Sequence, residues 1–235
     1  MAVNRSLIPV AVALLAVGCS DSIGVRPPAD LSLVSAAPHF LRWAGPTPPR
    51  FRVLGAHSGP VTKSGLLASA PGGLSLEHNT ATFWAVRGQQ RSVQINYLSS
   101  TGNTSFPFLR LAIADPTYLP GQGPLAPGDS VLITVTVDTA QIAVSLTPTG
   151  LVFGDPAQLQ IWYGGAGGDL NGDGVVDSTD AYIASHLLGM WYREGADSAW
   201  TPIPAVGSLS NQSFASALPH FCDYSVSWSE YAVSW

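Results

Sequence analysis

From about residue 72 onward, apolar side chains recur at alternate positions in short runs, and glycine and proline break the runs apart. Residues 131–137 carry the clearest alternation. There Val131, Ile133, Val135 and Val137 fall on one face of an extended chain and Leu132, Thr134 and Thr136 on the other. Residues 92–98 place Val93, Ile95 and Tyr97 together in the same way. Further runs at 74–76, 81–86, 106–113, 142–146, 159–163, 188–192, 214–218 and 224–228 read as strands, with turns at Pro120-Gly121 and Pro127-Gly128-Asp129. Short strands at a spacing of roughly 8–12 residues predict a sandwich or barrel. The expectation is an all-β, antiparallel β-sandwich spanning residues 59–235, with about seven to nine strands between residues 72 and 235.

Composition narrows the function classes. Charged residues make up 11% of the chain, and 24 glycines and 19 prolines punctuate it. The apolar fraction of 46% is ample for a packed core, so wholesale disorder is excluded. The formal net charge is −5, with no basic stretch and a single lysine, Lys63. Nucleic-acid binding therefore has no electrostatic footprint.

The first residues form a segment of their own. Arg5 precedes an apolar run over residues 7–17, which suits the core of a signal peptide better than a membrane span. The run ends at Ala16-Val17-Gly18-Cys19, followed by Ser20 and Asp21. This resembles the bacterial lipobox, although Ala16 stands where the strongest form has leucine. The resemblance implies that residues 1–18 are a lipoprotein signal peptide and that Cys19 is lipidated. It further implies an outer-membrane lipoprotein of the cell envelope, because Ser20 and not aspartate follows the cysteine; an ordinary secretory signal is the alternative. Prolines 27, 28, 38, 46, 48 and 49 then suggest a Pro-rich tether over residues 19–58, with one short strand at 51–54. With Cys19 lipidated, Cys222 has no intramolecular partner. On a strand it shares a face with His220 and reads as a buried structural cysteine.

One segment has chemistry in its spacing. Asp169, Asn171, Asp173, Asp177 and Asp180 occupy positions 1, 3, 5, 9 and 12 of a loop with Gly174 at position 6. That is the pattern of a calcium loop, in which position 7, here Val175, contributes its backbone carbonyl. Five side chains and one carbonyl then hold calcium, with Asp177 bound directly or through a water. Val176, at position 8, is expected to dock the loop toward the core. Position 12 is aspartate where most such hands have glutamate, and Gly164-Gly-Ala-Gly-Gly168 replaces an entering helix. The stretch from Gly168 through Asp180-Ala181 to Gly189 closely resembles one dockerin repeat; dockerins carry two, and no second is found. After the loop, residues 178–188 are expected to form a short helix stopped by Gly189. Loop and helix are read as an insertion at residues 164–189. The plain alternative is an Asp/Gly turn that binds nothing.

A second resemblance concerns the scaffold. Residues 148–159 with Tyr163, then Leu188-Gly-Met-Trp191-Tyr192-Arg-Glu194, Trp200-Thr-Pro202-Ile-Pro204 and His220-Phe221, are similar to the β-sandwich domain of ankyrins, zonula occludens proteins and netrin receptors. The resemblance implies a scaffold or adhesion module without catalysis. In agreement, the chain has no HExxH, GxSxG, Walker loop, CxxC or GxGxxG. Five histidines are scattered without metal-pair spacing, and three glutamates offer no persuasive glycosidase pair. The expectation is a non-enzymatic, calcium-stabilised, lipid-anchored envelope module acting in binding or adhesion, with a protein or polysaccharide partner at the cell surface. A dockerin-like or carbohydrate-binding accessory module is the alternative, and a secreted hydrolase with an unrecognised site the second.

Overall fold

Strands from both halves of the sequence build two sheets in the computed structural model, which describes residues 37–58, 74–99 and 104–230. The expected signal peptide and Cys19 lie outside the described residues.

The first sheet has seven strands. Its order runs Thr201–Ile203, Leu188–Arg193, Asp223–Trp228, Ala143–Thr147, Ser130–Val137 and Thr80–Val86, and His39–Phe40 also pairs with Asp223–Trp228. The second has nine, ordered Val206–Ser208, Ser213–His220, Val152–Trp162, Ser105–Ile113, Arg91–Leu98, Phe51–Ser58 and Leu74–Ser75. The short hairpin Pro116–Leu119 and Gly123–Pro124 hangs on Val152–Trp162. The pairings are antiparallel throughout, so the chain is an all-β sandwich with one short helix.

Alternation does what it predicts in the central strands. Val131, Ile133, Val135 and Val137 are buried, while Leu132 on the opposite face is 45% exposed. Residues 92–98 depart from simple alternation. The pairing with Ser105–Ile113 shifts between Ile95 and Asn96, and this irregularity turns Asn96 and Leu98 inward and leaves Tyr97 half-buried.

Between residues 72 and 235 the strand count exceeds the expected seven to nine: fourteen are present among the described residues, several of two or three residues. The difference comes from pairings too short to show a hydrophobic period, such as Thr201–Ile203 and Val206–Ser208. A larger correction concerns the tether expected over residues 19–58. Its described part is woven into the sandwich, with Phe51–Ser58 inside the nine-stranded sheet and Leu41, Trp43, Phe51 and Val53 in the core. Trp43 packs edge-on to Phe51 and Phe108, and its indole N–H donates to the Asp138 carbonyl at 2.9 Å. Prolines mark breaks in this stretch, but the large apolar residues between them drive its burial.

The chain crosses repeatedly between sheets, and two crossings position the chemistry. One carries the acidic loop and helix from Val152–Trp162 to Leu188–Arg193. The other is the tight corner between Ser213–His220 and Asp223–Trp228.

Candidate metal centres

The acidic loop begins where the glycine run packs on the N-terminal segment. A Cβ on Gly165 would lie 2.4 Å from Cζ3 of Trp43, so only glycine fits beneath that ring. The Ala44 N–H donates to the Gly165 carbonyl at 2.9 Å, fixing the approach. The glycines that stand in for an entering helix are thus a packing surface for residues 43 and 44.

Within the loop, side-chain oxygens organise the backbone. Asp169 accepts the N–H of Gly172 on Oδ1 at 2.8 Å and that of Gly174 on Oδ2 at 2.9 Å. Asn171 Oδ1 accepts from Asp173 N–H at 3.0 Å, and Asp173 Oδ1 from Val175 N–H at 2.8 Å. Positions 1, 3 and 5 therefore each brace the turn that follows them, which is how a chain coils around a common centre. Gly172 and Gly174 take φ of +77° and +89°, a left-handed backbone that a Cβ would strain.

Asp180 closes the loop. It is buried, and Oδ1 accepts the N–H groups of Leu170 and Asn171 at 2.7 and 3.3 Å, while Oδ2 accepts that of Asp177 at 2.9 Å. With Asp177 accepting from Thr179 N–H at 2.7 Å, the last of these completes a capping box on helix α1, Ser178–Tyr182. The Asp177 N–H, followed by those of Leu170 and Asn171, holds the Asp180 carboxyl below its ordinary pKa, and burial opposes them only in part. A carboxylate offers about four acceptor sites. Three at Asp180 are occupied from within the chain, so this residue is first of all a clasp between the loop's two ends.

Docking to the sandwich falls to residues other than the expected one. Val176 is 66% exposed and lies over Gly168, whereas Leu170 and Ile183 are buried. Leu170 also offers its carbonyl to the indole N–H of Trp228 at 3.0 Å. Position 2 and the following helix thus do what position 8 was expected to do, because the sheet lies on their side of the loop. The helix is shorter than residues 178–188. After Tyr182 it widens into a π-helical turn over Ile183–Leu187, where Ser185 Oγ donates to the Ala181 carbonyl at 2.7 Å. Leu188 is already extended, and Gly189 pairs with Ser227 in the first sheet. The stop is the demand of the sheet, not the glycine.

A different group of ligand-type side chains meets at the other crossing. Glu194, His220 and Cys222 each bring a ligand atom within 4.8 Å of the others. Glu194 follows Leu188–Arg193, His220 ends Ser213–His220, and Cys222 sits in the corner before Asp223. His220 Nε2 lies 3.3 Å from Glu194 Oε1, and its Nδ1 is buried with no hydrogen-bond partner among the described residues. The Tyr224 hydroxyl donates to the His220 carbonyl at 2.8 Å and pins the corner. Asp223 beside it is engaged by Arg193 at 2.8 Å and by the Ser145 hydroxyl at 2.6 Å.

Cys222 is a free, buried thiol. Burial, reinforced by the negative charge of Glu194, pushes it up to about 11 against the lowering effect of its contact with Tyr224. Such a thiol is a poor nucleophile. Sequence reasoning placed His220 and Cys222 on one face but missed Glu194, which is 26 positions before His220 and reaches it only through the sheet-to-sheet corner. The His-x-Cys spacing was the available signal.

No family model matches the chain, and neither does any curated protein or solved structure. Among the described residues no helix is long and apolar enough to cross a membrane.

Proposed function

We propose that the protein is a non-catalytic β-sandwich module of the cell envelope, anchored by lipid at Cys19 and stabilised by calcium in its acidic loop. Its role is binding or adhesion at the cell surface. The observation that carries the reading is the loop's own hydrogen bonding. Asp169, Asn171 and Asp173 present side-chain oxygens at alternate positions, each already braced by a backbone N–H.

The donor set is all oxygen, from three aspartates, one asparagine and the Val175 carbonyl, with Asp180 behind them; that suits a hard divalent cation. Asp180 fits less fully than a bidentate ligand would, since three of its acceptor sites hold the loop closed. Bound calcium would offset the mutual repulsion of the loop carboxylates and cross-link the two ends of the loop. The raised thiol of Cys222 supports the non-enzymatic side of the reading, because it leaves this cysteine unsuited to nucleophilic attack.

Two measurements test the parts separately. Thermal melting of the chain with calcium against chelator should show a rise of a few degrees, smaller with magnesium, which demands a tighter octahedral shell. A melting curve indifferent to both contradicts the calcium reading. Envelope fractionation should find the protein with membranes and Cys19→Ser released or unprocessed. A substituted protein that stays membrane-bound and fully processed contradicts the lipid anchor.

A further inference from the structure

We propose that Glu194, His220 and Cys222 form a second, independent metal site, one that takes a transition-metal ion of the zinc class. The three residues come from both sheets, and the ion would join the end of Leu188–Arg193 to the corner at His220–Cys222.

Ligand chemistry sets the class. A thiolate, an imidazole and a carboxylate are the mixed sulfur, nitrogen and oxygen set that zinc accepts, whereas calcium and magnesium take oxygen alone. Geometry agrees. Two donors each about 2.0–2.1 Å from a tetrahedral ion stand about 3.3 Å apart. His220 Nε2 and Glu194 Oε1 are 3.3 Å apart. At that spacing the two form an ion pair, and an ion taken up between them would need little movement of either ligand atom.

Within the fold the donors hold only light commitments: the Cys222 thiol donates to the Asp223 carbonyl at 3.6 Å and touches Tyr224, and His220 pairs with Glu194. Neighbouring Asp223, the other carboxylate at the corner, is occupied by Arg193 and Ser145 and is unavailable to compete. His220 Nδ1 has no hydrogen-bond partner among the described residues; Glu194 pairs with Nε2, and the Tyr192 ring packs edge-on against the imidazole. Access is graded: Cys222 is buried at the base, the His220 side chain is 30% exposed, and that of Glu194 is 52% exposed at the mouth. An ion would enter past Glu194, displace the thiol proton to solvent and keep a fourth position for water.

Cobalt(II) titration of the full chain carrying Cys19→Ser tests this, because that background leaves Cys222 as the one thiol. A near-ultraviolet thiolate-to-cobalt charge-transfer band should appear at one equivalent and be displaced by zinc but not by calcium. Cys222→Ser should abolish the band. Glu194→Gln, at an exposed position that leaves the fold intact, should keep the band but weaken cobalt binding roughly tenfold or more, as should His220→Gln. Asp173→Asn in the acidic loop should leave cobalt binding unchanged, which separates this site from the calcium reading. Absence of the band in the folded chain, its survival in Cys222→Ser, or unchanged affinity in both Glu194→Gln and His220→Gln overturns the proposal.

Discussion

At the scale of single residues, Asp180 and Gly165 show how one atom decides a local structure. The carboxylate of Asp180 accepts three N–H groups, and its folded pKa is depressed. A depressed carboxyl contributes stability above its unfolded value, near 3.9, and loses it as pH falls through the folded value. Asp180→Asn retains an acceptor for Leu170 and Asn171 but presents an amide to the Asp177 N–H. Its melting temperature should fall furthest below that of the parent at neutral pH, and the gap should close below about pH 4; a gap independent of pH contradicts the clasp. Gly165→Ala puts a methyl 2.4 Å from Trp43 Cζ3, an overpacking that costs about 1–3 kcal/mol in a denaturant titration. Gly195→Ala meets nothing within 4 Å at an ordinary φ and should stay within about 0.5 kcal/mol of the parent.

At the scale of elements, what was legible in the sequence follows from what each strand buries. Ser130–Val137 has one face in the core and one toward solvent, so its period of two is written in the residues. Asp223–Trp228 is buried almost along its length, and aromatic and β-branched content marked it instead. The edge strands Thr201–Ile203 and Val206–Ser208 lie in a Pro-containing stretch too short for periodicity, and pairing across the sheet alone reveals them. Residues 39–50 read wrongly as tether for the opposite reason, whereas the strand at Phe51–Leu54 is legible and runs on to Ser58. Prolines there drew the reading toward a tether, while Trp43 and Phe51 belong to an aromatic cluster with Phe108. The acidic loop was legible because its chemistry depends on spacing within one segment. The Glu194, His220 and Cys222 group was not, because it depends on which crossings end at the same corner.

At the scale of the whole molecule, both candidate centres sit where the chain passes between sheets and neither lies on a sheet face. A sandwich holds its sheets together by a common apolar core, and both of these crossings are tied to it. The loop is held by Trp228 and Leu170, and the corner by Tyr224. Ions at these two places would add cross-links to connections already anchored in the core through Leu170, Ile183, Phe221 and Tyr224. The central claim is the calcium in the acidic loop, and isothermal titration of the chain with calcium tests it most directly. One ion per chain with a dissociation constant of about 10⁻⁴–10⁻³ M is expected, adding about 1.4 kcal/mol of stability at tenfold excess over that constant. In Asp173→Asn, which removes a charge but keeps the acceptor for Val175, the affinity should drop severalfold. No calcium heat in the parent chain, or heat unchanged by Asp173→Asn, would leave residues 169–180 as a turn folded by its own hydrogen bonds and nothing more.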